Sequence, residues 1–357
     1  MIELLEACVR IRSLSGQEQA VAEFLRDQMT ARGFAADIDP AGNAVGVIGS
    51  GSRQMVLLGH MDTVDGVVPV RIENGALYGR GTVDAKGPLC AFILAAQRLA
   101  ASSPGLLDGW QIVVIGATEE EAASSRGARY AAAQYRPQYC IIGEPSGAAG
   151  ITLGYKGRLL AYARFEQPSR HTAMPGATPA VQAIQLWNQL DEFVQRYNAD
   201  KPKAFDQILP ALRRICSDND GMLEWCDLLI GLRLPLETGP QQMQALIEEW
   251  CRARGCMASK LTFSGHEQAY RSSRDSALVR AFVDAIRAEG GRPAYKMKTG
   301  TADFNVVGPV WQCPMVAYGP GDSALDHTPE EHVEVEEFER GVRTLERALS
   351  VLFKSQS

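Results

Sequence analysis

An α/β fold, a larger α/β domain on a mixed or mostly parallel sheet interrupted by a smaller α+β sandwich, is predicted by three observations. The apolar runs Val56–Leu58, Gln111–Gly116 and Tyr139–Ile142 each read as a buried strand and each deliver a polar residue at the carboxyl end: His60, the Glu119–Glu121 cluster and Glu144. Helical patterns separate these runs, as a parallel sheet requires. Between about 156 and 270 the pattern changes to alternating strands and amphipathic helices, then the earlier style returns. The expected division is therefore 1–155 plus 271–357 for the larger domain and 156–270 for the insert. Polar residues at successive strand ends point to one crevice along the carboxyl edge of the sheet.

Composition sets outer limits. The 357 residues can bury a substantial core, and 46% hydrophobic with 22% charged residues is ordinary globular usage. A formal net charge of -6, with no basic aromatic stripe, excludes a general nucleic-acid binder. The opening MIELLEACVRIRS has acidic residues and no apolar run before a cleavage site, so no secretory signal is expected. Nothing approaches ~18 uninterrupted apolar residues, so no membrane span is expected either. The eight cysteines form no CxxC pair; Cys8, Cys90, Cys140 and Cys313 lie in apolar surroundings. A reducing cytoplasm is the simplest setting, whereas an oxidising one would allow Cys216 to pair with Cys226 and Cys251 with Cys256.

In chain order, residues 1–32 read as two helices broken at Ser13–Gly16. Ser15 with Glu18 fits a capping box, and Gly33 is the expected stop. Ala44–Ile48 and Met55–Leu58 are strands around a Gly-Ser turn. Gly79–Asp84 is a glycine-rich polar turn, and Gly87–Ala100 an apolar helix whose amino end follows Asp84 directly. Ser124–Tyr135 is helical. In the insert the order is strand 159–165, helix 178–197 with Val181, Ile184, Leu186 and Leu190 apolar, strand 228–234, helix 241–254 and strand 257–263. Helix 276–289, the polar loop 299–303, strand 314–318 and helix 334–350 complete the chain. The acidic run from Glu330 to Glu339 reads as a solvated helix start, with only its neighbour His327 of chemical interest.

His60, Asp84, Glu120, Glu121, Glu144 and His327 supply two imidazoles and four carboxylates. That donor set fits one or two borderline divalent ions, zinc or cobalt before calcium, because an all-oxygen site would not use two histidines. Two ions ~3.5–4 Å apart can share one carboxylate and acidify a water, and a carboxylate that is not a ligand can then move its proton.

GHMDTV, GRGTVDAKG, ATEEE, IIGEPS, SRHTAMP and LDHTPEEHV together resemble the dinuclear zinc peptidases and deacylases of family M20, over almost the whole chain. The resemblance implies that His60 and Glu144 hold one ion, Glu121 and His327 the other, and that Asp84 bridges. Glu120 is implied as general base and acid, and Asp62 as the residue that orients His60. It implies that His171 stabilises the oxyanion in a partner subunit of a homodimer, and that Arg233 fixes a substrate carboxylate; otherwise the first is a loop histidine and the second an edge arginine. This chain has Glu119-Glu120-Glu121 where the family usually has Asp-Glu-Glu. KTGTADFN, with Thr299, Gly300 and Thr301 as substrate contacts, and MVAYGPGDSALDHTPEEHVEV are similar to the branch that acts on LysW-lysine and LysW-ornithine. LysW is an acidic amino-group carrier protein, so a positive surface from Arg158, Arg164, Arg170, Lys201, Lys203, Arg213 and Arg214 is expected. The alternatives are an acetylornithine deacetylase or succinyl-diaminopimelate desuccinylase-like deacylase or carboxypeptidase using the same residues, or a metal- or peptide-binding protein without turnover.

Overall fold

A computed structural model describes residues 1–171, 173–253 and 258–355. The chain divides into two compact units, Met1–Gly154 with Ser272–Met297 and Ala302–Ser357, and Tyr155–Arg271 with Lys298–Thr301.

The first unit is built on a mixed sheet. Its strands run Ala35–Ile38, Ala44–Ile48, Trp110–Ala117, Arg53–His60, Tyr139–Gly143, Met315–Ala317 and Gly150–Tyr155, with Ala294–Lys298 paired to the last. The four from Trp110–Ala117 to Met315–Ala317 are mutually parallel, and the flanking pairs are antiparallel. Past their first two residues the long parallel strands Arg53–His60 and Trp110–Ala117 are buried, as is all of Tyr139–Gly143, and their central runs are apolar because helices cover both faces. Helix Lys86–Ser102 is buried over nearly its whole first three turns and packs with Val335–Lys354, whose Phe338, Val342, Leu345 and Leu349 are fully buried. Gly59 is in register with Gly116 on one side and Gly143 on the other, so a row of glycines crosses three strands one residue before His60 and Glu144. A Cβ on Gly59 would stand 3.2 Å from Leu89, and one on Gly143 3.0 Å from Phe92. The row lets this helix lie directly on the strand ends. A small sheet of His332–Glu334, Ala76–Tyr78 and Arg71–Glu73 flanks the region.

The second unit is a four-stranded antiparallel sheet in the order Leu209–Asn219, Leu223–Leu234, Gly157–Pro168, Lys260–Glu267. Alternate residues of Gly157–Pro168 are buried, and helices Pro179–Asn198 and Pro240–Ala253 cover that face with Leu186, Leu190, Val194, Met243 and Ile247.

Several expectations are corrected. Strands Ala35–Ile38 and Ala294–Lys298 were not expected, nor was Leu209–Asn219, and this last makes the insert β-α-β-β-α-β rather than β-α-β-α-β. Leu209–Asn219 is exposed along most of its length, so it lacks the alternation that marks a half-buried strand. Helix Asp303–Trp311 was hidden by Pro309 near its end. Val181 and Ile184 are 42% and 46% exposed rather than packed. Ser15 caps no helix: Gln19–Thr30 has no side-chain cap, and the Ser15 hydroxyl is used elsewhere. Cys8, Cys90, Cys140, Cys216, Cys226 and Cys313 are free thiols, with Cys313 only half-buried. Cys256, and Met257 at the expected strand start, lie outside the described residues.

Candidate metal centre

Parallel strands place their carboxyl ends side by side, and here each end hands a donor to one spot. His60 is the last residue of Arg53–His60, Glu120 and Glu121 follow Trp110–Ala117, and Glu144 follows Tyr139–Gly143. Asp84 arrives on the turn before helix Lys86–Ser102, and His327 on a loop after Met315–Ala317 with its backbone in the left-handed region at φ 61°.

Asp84 stands at the middle. Its Oδ1 is 3.2 Å from His60 Nε2 and its Oδ2 is 2.9 Å from His327 Nε2, which also lies 2.9 Å from Glu121 Oε1. Glu144 Oε1 is 3.9 Å from His60 Nε2. Two ligand sets result, His60/Asp84/Glu144 and Asp84/Glu121/His327, each with its donor atoms within 4.8 Å of one another and with Asp84 common to both. Three-donor N/O sets joined by one carboxylate fit a pair of divalent ions with room for further ligands. Glu120 belongs to neither set, and its Oε2 is 4.0 Å from His60 Nε2.

The charges are tightly coupled. Burial works against the His60 cation, but Asp62, Asp84 and Glu120 raise its pKa well above the ordinary value. Asp84 and Glu121 raise His327 to about 10. Burial would raise Asp84, yet the two histidines hold it well below the carboxylate range. Glu120 is raised well above its usual value, first by burial and then, against the pull of His60, by Glu144, Asp303 and Glu121.

Asp62 is 0% exposed and takes a larger part than orienting His60. His60 Nδ1 sits 3.0 Å from the Asp62 main-chain carbonyl and 3.5 Å from its Oδ1. The carboxylate also accepts the main-chain N–H of Glu120 at 3.1 Å and of Glu121 at 3.0 Å, and the Ser15 hydroxyl at 2.6 Å. Glu18, the other half of the expected capping box, accepts the N–H groups of Gly16 and Glu119. Glu119 itself has a left-handed backbone, φ 58°, and accepts from Ser124 instead of joining the donors.

Arg233, Thr299, Gly300 and Thr301 belong to the second unit with His171. Arg233 Nη1 donates to Thr301 Oγ1 at 2.5 Å, and Thr301 Oγ1 donates to the Lys156 carbonyl at 3.0 Å. The Lys156 N–H donates to the Gly300 carbonyl, and its buried ammonium is held by the Ala204, Phe205 and Gln207 carbonyls. Burial lowers its pKa to about 8. Thr299 is exposed; His171 is exposed on its loop and accepts the Ala173 N–H. Of the expected basic surface, Arg213, Arg214 and Lys203 are exposed, whereas Arg164 faces Glu166 and Asp227 and Lys201 faces Glu237.

Sequence reasoning missed Ser15, Glu18, Asp303 and Glu331. Glu331, expected in a solvated run, is 0% exposed and paired with Arg80 at 2.7 Å. The burying partner is 251 residues away in sequence, so no local signal could have marked it.

The model of peptidase family M20/M25/M40 matches residues 56–351. The chain is 50% identical over 354 residues to a [LysW]-lysine hydrolase of Deinococcus radiodurans, covering 98% of this chain and 96% of that protein. It is 35% identical over 348 residues to a putative [LysW]-lysine/[LysW]-ornithine hydrolase of Pyrococcus furiosus, covering 98% and 96%. The fold is shared with an M20 family metallo-carboxypeptidase of Sulfolobus solfataricus at TM-score 0.78 and 16% identity, over 99% of each chain. With the match running through the segments that bring His60, Asp84, Glu121, Glu144 and His327 together, this chain belongs to peptidase family M20/M25/M40.

Proposed function

We propose that the chain hydrolyses the amide that links lysine, or ornithine, to the terminal glutamate side chain of an acidic LysW-type amino-group carrier protein, releasing the free amino acid in the cytoplasm. The observation that carries this reading is 50% identity across 98% of the chain to a [LysW]-lysine hydrolase, together with two donor sets that share Asp84. His60 and Glu144 would hold one ion and Glu121 and His327 the other, with Asp84 common to both sets; zinc or cobalt suits two imidazoles among carboxylates. Such ions supply Lewis acidity, polarising the amide carbonyl and lowering the pKa of the attacking water.

The chain's own groups do the rest. Glu120, outside both donor sets and beside them, takes the water's proton and passes it to the departing amine nitrogen. Its raised pKa suits a group that must hold that proton briefly. Asp62 fixes His60 and the Glu120–Glu121 turn. Arg233, steadied by Thr301, takes the free carboxylate of the amino acid, with Thr299 and Gly300 beside it.

The insert, Tyr155–Arg271 with Lys298–Thr301, acts as lid and dimerisation domain, and His171 stabilises the oxyanion in the other subunit of a homodimer. Exposed Val181, Ile184, Leu212 and Ile215 on its helix and outer strand support a dimer surface. The exposed Arg213, Arg214 and Lys203 suit an acidic carrier. Among the described residues no helix is long and apolar enough to cross a membrane.

The test is to incubate zinc- or cobalt-loaded protein with lysyl-carrier, ornithyl-carrier and acetylornithine and to measure free amino acid. Release from the carrier is expected; rapid cleavage of acetylornithine with none from the carrier would move the chain to the small-molecule deacylases.

A further inference from the structure

The turn that presents Asp84 is tied to the rest of the molecule through one side chain. Glu331 Oε1 accepts three main-chain N–H groups from that turn, Gly81 at 2.9 Å, Val83 at 3.1 Å and Asp84 at 3.2 Å. Its Oε2 accepts from Arg80 Nη1 at 2.7 Å, and its main-chain carbonyl accepts the Gly79 N–H at 3.2 Å. The residue is fully buried, and Arg80 is 13% exposed. Glu331 immediately precedes His332–Glu334, which pairs with Ala76–Tyr78, and it follows His327 by four residues. Gly79–Asp84 and His327–Glu331 are thus stitched together about 250 residues apart in sequence. Each contributes one of the two groups that meet at 2.9 Å, Asp84 Oδ2 and His327 Nε2.

We propose that Glu331 is a positioning residue for the two-ion centre: by gathering the three N–H groups of the Asp84 turn, it sets the reach of the shared carboxylate toward His327. The proposal rests on the two-ion reading given above. Of the His60/Asp84/Glu144 set only Asp84 is placed through Glu331, since His60 ends one strand and Glu144 follows another, so the ion held there depends on it less. The ion held by Asp84, Glu121 and His327 needs both stitched segments. A buried acid that collects main-chain donors next to a ligand is the kind of outer support that orients a ligand.

The test uses the full chain, stripped of metal and titrated with Co(II), reading calorimetric stoichiometry and the visible ligand-field bands, with a thermal melt run on each sample. Glu331→Ala should take up a first Co(II) much as the parent does and bind the second about 10- to 100-fold more weakly, with altered bands. The paired variant Glu331→Gln with Arg80→Met keeps the Oε1 acceptor, removes both charges and avoids setting an amide donor against a guanidinium. It should recover two-ion binding. Parent-like binding of both ions by a folded Glu331→Ala would overturn the proposal. Loss of the second ion in a folded paired variant would also overturn it, since the ion pair rather than the three main-chain bonds would then be the support. Where Glu331→Ala does not fold, the paired variant decides alone. Failure of the parent itself to bind two Co(II) would instead bring down the two-ion reading.

Discussion

The Asp62 carboxylate holds His60, the Ser15 hydroxyl and the N–H groups of Glu120 and Glu121 at once. Asp62→Asn would turn one of its acceptors into a donor facing other donors. We expect a folded variant whose kcat/KM falls by about 10- to 100-fold, seen in steady-state kinetics beside a circular dichroism spectrum like the parent's. Glu120→Gln should keep both ions and lose turnover by a factor of about 10²–10⁴. Metal analysis alongside the rate measurement checks this, and unchanged hydrolysis would reject Glu120 as the proton carrier. His327 gives a pH prediction. Its pKa is raised from 6.5 to about 10 by Asp84 and Glu121, so in metal-free protein its charge contributes stability that is fully present below about 6.5 and lost as pH rises through about 10. A metal ion must displace that proton, so apparent affinity should rise across the same window with proton release. Calorimetry in buffers of different ionisation enthalpy would show it; metal uptake without proton release would contradict it.

At the scale of elements, the glycine row under helix Lys86–Ser102 couples packing to chemistry. A Cβ on Gly143 would stand 3.0 Å from both the Gly59 Cα and the fully buried Phe92 ring, so one of them must shift to admit it. Gly143→Ala should therefore destabilise the protein by about 1–3 kcal/mol. It should also weaken metal binding, because Glu144 is the next residue and His60 follows the in-register Gly59. Thermal melts with and without metal would separate the two effects. An alanine variant with the parent's melting temperature would remove the close approach from the account. The strand-then-donor pattern was legible because burial on both faces imposes continuous apolar runs, and a donor at the end of such a run stands out. The strand Leu209–Asn219 was not legible, since solvent on it allows almost any residue type.

For the whole molecule, ion removal should matter more than any single substitution. Without ions, burial and the neighbouring carboxylates raise the pKa values of Glu120 and Glu121, so bringing these acids together costs stability. Chelation should abolish hydrolysis and lower the melting temperature, and zinc or cobalt at about 100 times its dissociation constant should restore about 2.7 kcal/mol for each independent site. If the substrate is an acidic carrier, its kcat/KM should fall steeply with added salt while that of a free acylated amino acid changes little. Stopped assays across ionic strength would distinguish these, and equal slopes would argue against recognition of the carrier by charge. By itself the sequence determined the α/β class with a smaller second domain and singled out His60, Asp84, Glu144 and His327 as candidate donors, because strand periodicity and scarce residue types are local and survive without a fold. Tertiary structure alone decided that Glu119 turns to Ser124, that Ser15 serves Asp62 rather than a helix end, that Val181 and Ile184 face outward, and that Glu331 is buried. Each of those depends on a partner distant in the chain, and one-dimensional patterns record how apolar a face is, not what comes to cover it.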